Sequence, residues 1–272
     1  MKGLQERVAI VTGAGRGIGQ GCALALAAEG VSLVLNDLEE GPLADTVDRV
    51  REHGVQAVPV VGSVTDAAVS ERLAREATER FGDLHIVIAC AGYTWDVMFH
   101  RMTDEQWQAM VDVHLTGSMR VVREAFKVMR SNAQAEQAQG WIPTARKIIT
   151  VSSISSFGNL GQANYSAAKA GAVGLTRTVA LEGARFNILA NSVALGPIDT
   201  RLTKPRESQD ERLGGSVLGM PAEARERFLE RIPLGRVGTI EEAVGPLLFL
   251  ASDHANYVSG ALLEVNGAAH IS

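Results

Sequence analysis

Cysteine is nearly absent from this sequence, and the two that occur, Cys22 and Cys90, both lie inside apolar segments. That excludes a disulfide framework and points to buried thiols in a reducing compartment. An excess of positive charge is missing too: the net charge is -5 at neutral pH. No basic footprint is left for nucleic acid or an anionic membrane surface. No apolar run approaches the ~18 residues of a membrane-spanning helix. Lys2, Glu6 and Arg7 ahead of a short apolar run make no secretory leader, and the C-terminal Ala-His-Ile-Ser carries no peroxisomal or retention address. A cytoplasmic location is the expectation. His53, His85, His100, His114, His254 and His270, with the two cysteines, form no ligand spacing such as H-E-x-x-H; no metal site is expected. A G-x-S-x-G elbow is absent as well, which argues against a serine hydrolase.

What is present is a chain of 272 residues, 46% hydrophobic and 21% charged, ample for a large core. No linker, repeat or low-complexity tract divides it, so one domain over 1–272 is expected. Residues 7–12 form an apolar β-branched run that ends in Gly13-Ala-Gly-Arg-Gly-Ile-Gly19 and leads into an alanine-rich helical pattern closed by Gly30. The spacing is not G-x-G-x-x-G, since position 18 is Ile. The pattern is T-G-x-x-x-G-x-G, from Thr12 to Gly19. Strand, glycine turn and helix in that order suit a dinucleotide, because glycine allows close backbone approach and a helix N-terminus receives the pyrophosphate.

Strand and helix then alternate. Strands are expected over 31–36, 55–60, 84–89, 147–152, 187–193 and 261–266, with helices over 42–53, 66–80, 103–131, 163–182, 222–231 and 240–251. Apolar strands in a βαβ rhythm imply a parallel sheet covered on both faces, a doubly wound α/β fold. Thr103 with Gln106 three residues on predicts a capping box. The polar stretch 131–146, broken by Gly140 and Pro143, reads as a loop. Residues 199–232 read as a substrate lid after the sixth strand. The second strand ends at Asp37, where a carboxylate would accept from the adenosine ribose and repel a 2′-phosphate. Leu38 follows it, and Arg16 is the one residue that favours a 2′-phosphate. NAD over NADP is the expectation.

The helix over 163–182 carries only Lys169, Arg177 and Glu182 as charges. Tyr165 and Lys169 lie one turn apart on it, and Ser152 precedes Tyr165 at the end of the fifth strand. Spacing alone also accommodates a core tyrosine beside a snorkelling lysine. Joined to the glycine turn and the downstream strand ending before Gly196, this pattern resembles the short-chain dehydrogenase/reductase family over essentially the whole chain.

The resemblance implies a single Rossmann-type domain with about seven parallel strands, a nicotinamide cofactor and a homotetramer. It implies Tyr165 as acid/base, Lys169 as its partner, and Ser152 as the residue that orients the substrate carbonyl, with Ser153 facing the other side of the strand in a structural role. The implied cofactor contacts are Gly13, Arg16, Gly17, Ile18, Gly19, Asp37, Ser63, Val64, Cys90, Ala91, Gly92, Tyr165, Lys169, Ile198 and Thr200. A lysine cation ~4 Å from the phenol would favour the phenolate by about 4 kcal/mol at an effective dielectric near 20. His114 stands where the family has an asparagine that supports a water leading to the lysine, and the side chain can still donate and accept. It is carried as a relay candidate, with a packed core histidine as the alternative.

His114, Ser63, Asn36-Asp37 and Gly-Asn-Leu-Gly-Gln-Ala-Asn-Tyr-Ser-Ala-Ala-Lys are similar to (3R)-hydroxyacyl-CoA dehydrogenases and, in part, to 3-oxoacyl-ACP reductases. The expectation is therefore hydride transfer on a 3-hydroxyacyl or 3-oxoacyl thioester. Another secondary alcohol (steroid, sugar or small ketone), or a non-catalytic NAD-binding regulator, remains open.

Overall fold

A computed structural model describes residues 1–201, 203, 212–213, 216–217, 219 and 222–271. Six β-branched, apolar segments form the body of one parallel sheet: β1 (Val8–Thr12), β2 (Ser32–Asp37), β3 (Ala57–Val61), β4 (Ile86–Ala89), β5 (Arg146–Ser153) and β6 (Ile188–Leu195). A two-residue pair, β7 (Arg212–Leu213) and β8 (Ser216–Val217), lies apart, and β9 (Leu262–Val265) closes the sheet. The seven-stranded order is β3-β2-β1-β4-β5-β6-β9. Every pairing in it is parallel, from Val8 against Ser32 to Leu195 against Val265. β1, β4 and β6 are buried along their whole length, as continuous apolar strands require when helices cover both faces.

The helices divide between those faces. α1 (Gly17–Ala28), α2 (Glu40–Arg51) and α8 (Ile240–Ala251) pack one core with Leu26, Leu43, Val47 and Leu247. α3 (Ala67–Phe81), α5 (Ser118–Ala138) and α6 (Ala163–Gly183) pack the other with Leu73, Val122, Met129 and Ala180. Strand order reverses between β1 and β4, so a crevice opens at their carboxyl ends, where ligands bind in such sheets. The doubly wound fold expected from the sequence is therefore present. Among the described residues, no helix is long and apolar enough to cross a membrane, and no group of three His, Cys, Asp or Glu side chains is placed to hold a metal.

Two helical expectations change. The pattern over 103–131 is not one helix: α4 (Asp104–Val111) gives way to a π-helical turn, Asp112–Gly117, before α5 begins. Thr103 and Gln106 do form the capping box, with reciprocal bonds of 3.2 and 3.0 Å. The π turn buries His114 at 2% exposure, and such turns recur at functional sites. The stretch 131–146 is not all loop, because α5 runs on to Ala138. Its alanines and glutamines are good helix formers, and tertiary bonds hold it. Glu136 receives Arg146 at 3.1 and 3.0 Å, and Asp83 receives the same guanidinium at 2.9 Å. Arg146 is fully buried. Of the expected lid over 199–232, residues 202, 204–211, 214–215, 218 and 220–221 lie outside the described residues. The charged helix within it is α7 (Ala222–Leu229).

Candidate active site

The glycine turn between β1 and α1 leaves no room for side chains on its inner side. A Cβ on Gly19 would stand 2.0 Å from the Gly13 carbonyl oxygen, and one on Gly13, at φ +66°, 2.8 Å from Ala91 Cα. Gly17, at φ +55°, would meet only Thr200 Cγ2 at 3.7 Å, so its outer side faces open space. No side chain caps α1, which leaves its first N–H groups for an anion. Thr12 Oγ1 accepts from the N–H groups of Cys90 and Ala91 at 3.1 and 3.2 Å, tying β1 to the turn after β4.

These segments bound a cleft of about 810 Å³. Gly13, Arg16, Gly17, Ile18, Gly19, Asp37, Ser63, Val64, Cys90, Ala91, Gly92 and Thr200 line it, as expected from the sequence. Ser63 also bonds Thr65 Oγ1 at 2.8 Å. Ile198 does not line it: its side chain is 4% exposed and packs into the core. Only its backbone is left to face a ligand, and its neighbours Asp199, Thr200 and Arg201 take the wall. The glycine cradle, the uncapped helix and the carboxylate of Asp37 fit an extended dinucleotide.

Asp37 is set by the backbone around it. One carboxylate oxygen accepts from Gly15 N–H at 2.8 Å and the other from Glu39 N–H at 3.1 Å. Asn36 bonds the carbonyls of Val60 and Gly62 at 2.8 and 2.9 Å, which fixes the β2–β3 edge of the cleft.

Tyr165 and Lys169, expected among the cofactor contacts, are not among the residues that line this cleft. They lie beside it, next to Cys90, and the two serine side chains there face opposite ways to those expected. β5 runs one residue beyond the expected end, to Ser153, and successive side chains on a strand point to opposite faces. Ser152 is 2% exposed, and its hydroxyl donates to the Lys169 carbonyl at 3.1 Å. It faces helix α6 and serves packing. The Ser153 hydroxyl lies beside the Tyr165 phenol and acts to lower its pKa, and its oxygen accepts from Ser155 N–H at 3.1 Å. The sequence assigned these two roles the other way round. A count back from Tyr165 crosses a loop, and a loop does not preserve strand parity.

Lys169 is buried beneath the site at 5% exposure, with Nζ donating to the Val151 carbonyl at 2.6 Å and lying 5.6 Å from the Tyr165 ring centroid. Burial lowers its pKa to about 8, an effect that the nearby Cys90 thiol partly offsets. The expected depression of the tyrosine is absent. Burial instead pushes the Tyr165 phenol up to about 12, the Ser153 hydrogen bond opposing and the Asp96 carboxylate reinforcing. Desolvation of the buried phenol is the largest influence on it. Burial likewise raises the Cys90 thiol to about 11, which keeps it a thiol.

His114 Nε2 sits 2.6 Å from the Tyr93 carbonyl oxygen, and its ring meets Tyr165 edge-on with centroids 4.8 Å apart. Nδ1 is buried without a hydrogen-bond partner. Burial, then the Lys169 charge, hold the imidazole well below its usual pKa, so it is neutral at pH 7. A Cβ at Gly92 would lie 2.1 Å from His114 Cε1; the glycine after β4 is what admits the ring.

Two loops frame Tyr165, and no motif announced the bonds that join them. Gln162 Nε2 donates to Asp96 at 2.9 Å, and its Oε1 accepts from Ser155 and Asn159 at 2.9 and 2.8 Å. Asn164 reaches the carbonyls of Trp95 and Gln106 at 3.2 and 2.9 Å.

A cleft shaped for a dinucleotide, beside a Ser-Tyr-Lys group in a doubly wound sheet, defines a nicotinamide-dependent oxidoreductase. The chain belongs to the short chain dehydrogenase family, whose model matches residues 7–211. It is 34% identical over 264 residues to the 3-oxoacyl-[acyl-carrier-protein] reductase FabG of Thermotoga maritima, covering 97% of this chain and 98% of that one. It is 37% identical over 270 residues to a 3-oxoacyl-[acyl-carrier-protein] reductase of Synechocystis, covering 98% of each. A crystal structure of a short-chain type dehydrogenase/reductase from Mycobacterium marinum superposes with a TM-score of 0.86 at 27% identity, covering 99% of this chain and 97% of that one. The chain is thus an oxidoreductase that transfers hydride between a nicotinamide cofactor and a carbonyl or alcohol carbon.

Proposed function

We propose that this protein reduces a 3-oxoacyl thioester to its 3-hydroxy form with NADH, using Ser153, Tyr165 and Lys169. The observation that carries the reading is the grouping of Tyr165 with Ser153 and Lys169 beside the cleft. When bound, the nicotinamide supplies the hydride. Tyr165 gives the proton to the carbonyl oxygen, and a phenol held near 12 stays in that donating form at neutral pH. Ser153, which accepts from Ser155 N–H and stands beside Tyr165, orients the substrate oxygen. Lys169 supports Tyr165 as a cation below about pH 8. His114 is neutral, and its unpartnered Nδ1 offers an acceptor for a water on the proton path to Lys169.

The thioester class is supported by the names of the reductases most of this chain aligns with. It is also supported by apolar surface on the two framing loops, where Met98, Phe99, Phe157 and Leu160 are exposed. NAD rather than NADP is supported by Asp37. The reading includes a single catalytic domain over 1–272 with 199–232 as its lid, a cytoplasmic location and a homotetramer. Leu181, 82% exposed on the small-residue face of α6, favours assembly, and sedimentation as a monomer at micromolar concentration would overturn it.

The test is NADH oxidation with acetoacetyl-CoA. Turnover that falls at least a hundredfold in Tyr165→Phe is expected, as for loss of a general acid. NADH binding without turnover of any ketone or acyl thioester in a panel would overturn the enzyme reading. Turnover of a steroid or sugar ketone alone would overturn the thioester.

A further inference from the structure

Three charged side chains from three segments meet at the rim of the cleft beyond β2. Glu39 Oε2 lies 3.2 Å from Arg16 Nη2, and Glu39 Oε1 lies 3.7 Å from Arg201 Nη1. Arg16 belongs to the glycine turn, Glu39 immediately precedes α2, and Arg201 begins the segment that follows β6. All three line the cleft beside Asp37 and Leu38. Glu39 is also the N-cap residue of α2, and its side chain makes no capping bond. It is committed to the arginines instead.

Two guanidinium groups around an uncapped helix N-terminus are the components of a phosphate site. Here a carboxylate stands among them. We propose that Glu39 is the residue that excludes a 2′-phosphate from the cofactor ribose, by engaging Arg16 and Arg201 and adding a second negative charge next to Asp37. This rests on the NAD reading above and moves its main determinant two residues downstream. A 2′-phosphate carries about -1.5 to -2 charges, so at this rim it would face two carboxylates while both arginines are engaged.

Asp37 is poorly suited to be the switch. Both of its oxygens hold backbone N–H groups, of Gly15 and Glu39, so its substitution loosens the glycine turn for either cofactor. Glu39 has no such duty. Its partners are side chains with 44% and 28% exposure, and exposed ion pairs contribute little to folding. Glu39→Gln keeps the shape, removes the charge and leaves a folded protein.

The experiment compares wild type, Glu39→Gln and Glu39→Gln/Arg16→Ala. Calorimetric Kd values for NAD+ and NADP+ are measured alongside kcat/KM for NADH and NADPH, so binding is read without turnover. In Glu39→Gln the NADP+/NAD+ affinity ratio should rise at least tenfold, chiefly through tighter NADP+ binding. The kinetic ratio should follow through KM. Adding Arg16→Ala should return most of the gain. An inhibition constant for 2′,5′-ADP that falls by a similar factor, against an unchanged one for 5′-AMP, would place the effect at the 2′ position. Wild type that prefers NADPH overturns the NAD reading, whatever the variant does. Wild type that prefers NADH, with a Glu39→Gln ratio still within twofold of it, overturns the role of Glu39 alone.

Discussion

Ser152→Ala and Ser153→Ala, neighbours in the chain, should fail in different ways. Ser153 is the one that pairs with Tyr165, so its hydroxyl is available to the oxygen on which charge develops. Removing such a donor costs about 2.7–4 kcal/mol in the transition state, a loss of roughly 10²–10³ in kcat. Ser152 is buried and donates to the Lys169 carbonyl. Its alanine variant forfeits one buried hydrogen bond, about 1 kcal/mol of stability, and should lower Tm by about 2–4 °C with turnover kept within a few-fold. NADH oxidation with acetoacetyl-CoA gives the first quantity and calorimetric melting the second. The double variant should combine the kinetics of one with the melting of the other, since the two side chains point to opposite faces of β5. If Ser152→Ala loses two decades of kcat while Ser153→Ala keeps its activity, the parity argument is wrong.

For carbonyl reduction, kcat/KM should be level at neutral pH and fall as pH rises through about 8, where the lowered Lys169 ammonium loses its proton. Tyr165, raised to about 12, adds no limb below that, and a profile that first falls near pH 10 would contradict this. Asp96→Asn removes a carboxylate that raises the tyrosine, so the pH at which the phenolate appears in ultraviolet difference spectra of Tyr165 should move down; an unmoved titration would show Asp96 to be only a loop tie. Arg146→Met should cost about 3–5 kcal/mol in denaturant unfolding, because it strands Asp83 and Glu136 beside a buried site; a loss under 1 kcal/mol would rule out that reading. Arg146 also holds the Glu136 carboxyl below its usual range. That contribution is complete above the unfolded value near 4.3 and disappears as pH falls through the lower folded value, so acid unfolding of Arg146→Met should lose this step.

Alternating apolar strands and helices made the layered fold legible before any coordinate, because burial on two faces imposes a period that no tertiary contact has to explain. The glycine turn was legible for a similar reason: only residues without Cβ can bring Gly13 and Gly19 so close. Thr103 and Gln106 spelled out their cap within four residues. The π turn at Asp112–Gly117 was not legible, since the helical pattern over 103–131 runs through it and only the packing of His114 against Gly92 and Tyr165 distinguishes it. The helical end of α5 was hidden by its polarity, and its partners Asp83 and Arg146 are remote in the chain.

Local rules thus settled the sheet, the glycine turn and the spacing of Tyr165 and Lys169, which share one helix and therefore a fixed separation. Everything that joins separate elements waited for the folded chain. Which serine faces the tyrosine depends on where β5 ends and on the path of residues 154–162, and the raised pKa of Tyr165 depends on how the surrounding elements bury its phenol. The grouping of Glu39 with Arg16 and Arg201 depends on three loops meeting at one rim. Covalent spacing fixes geometry within an element; between elements, desolvation and hydrogen-bond competition decide.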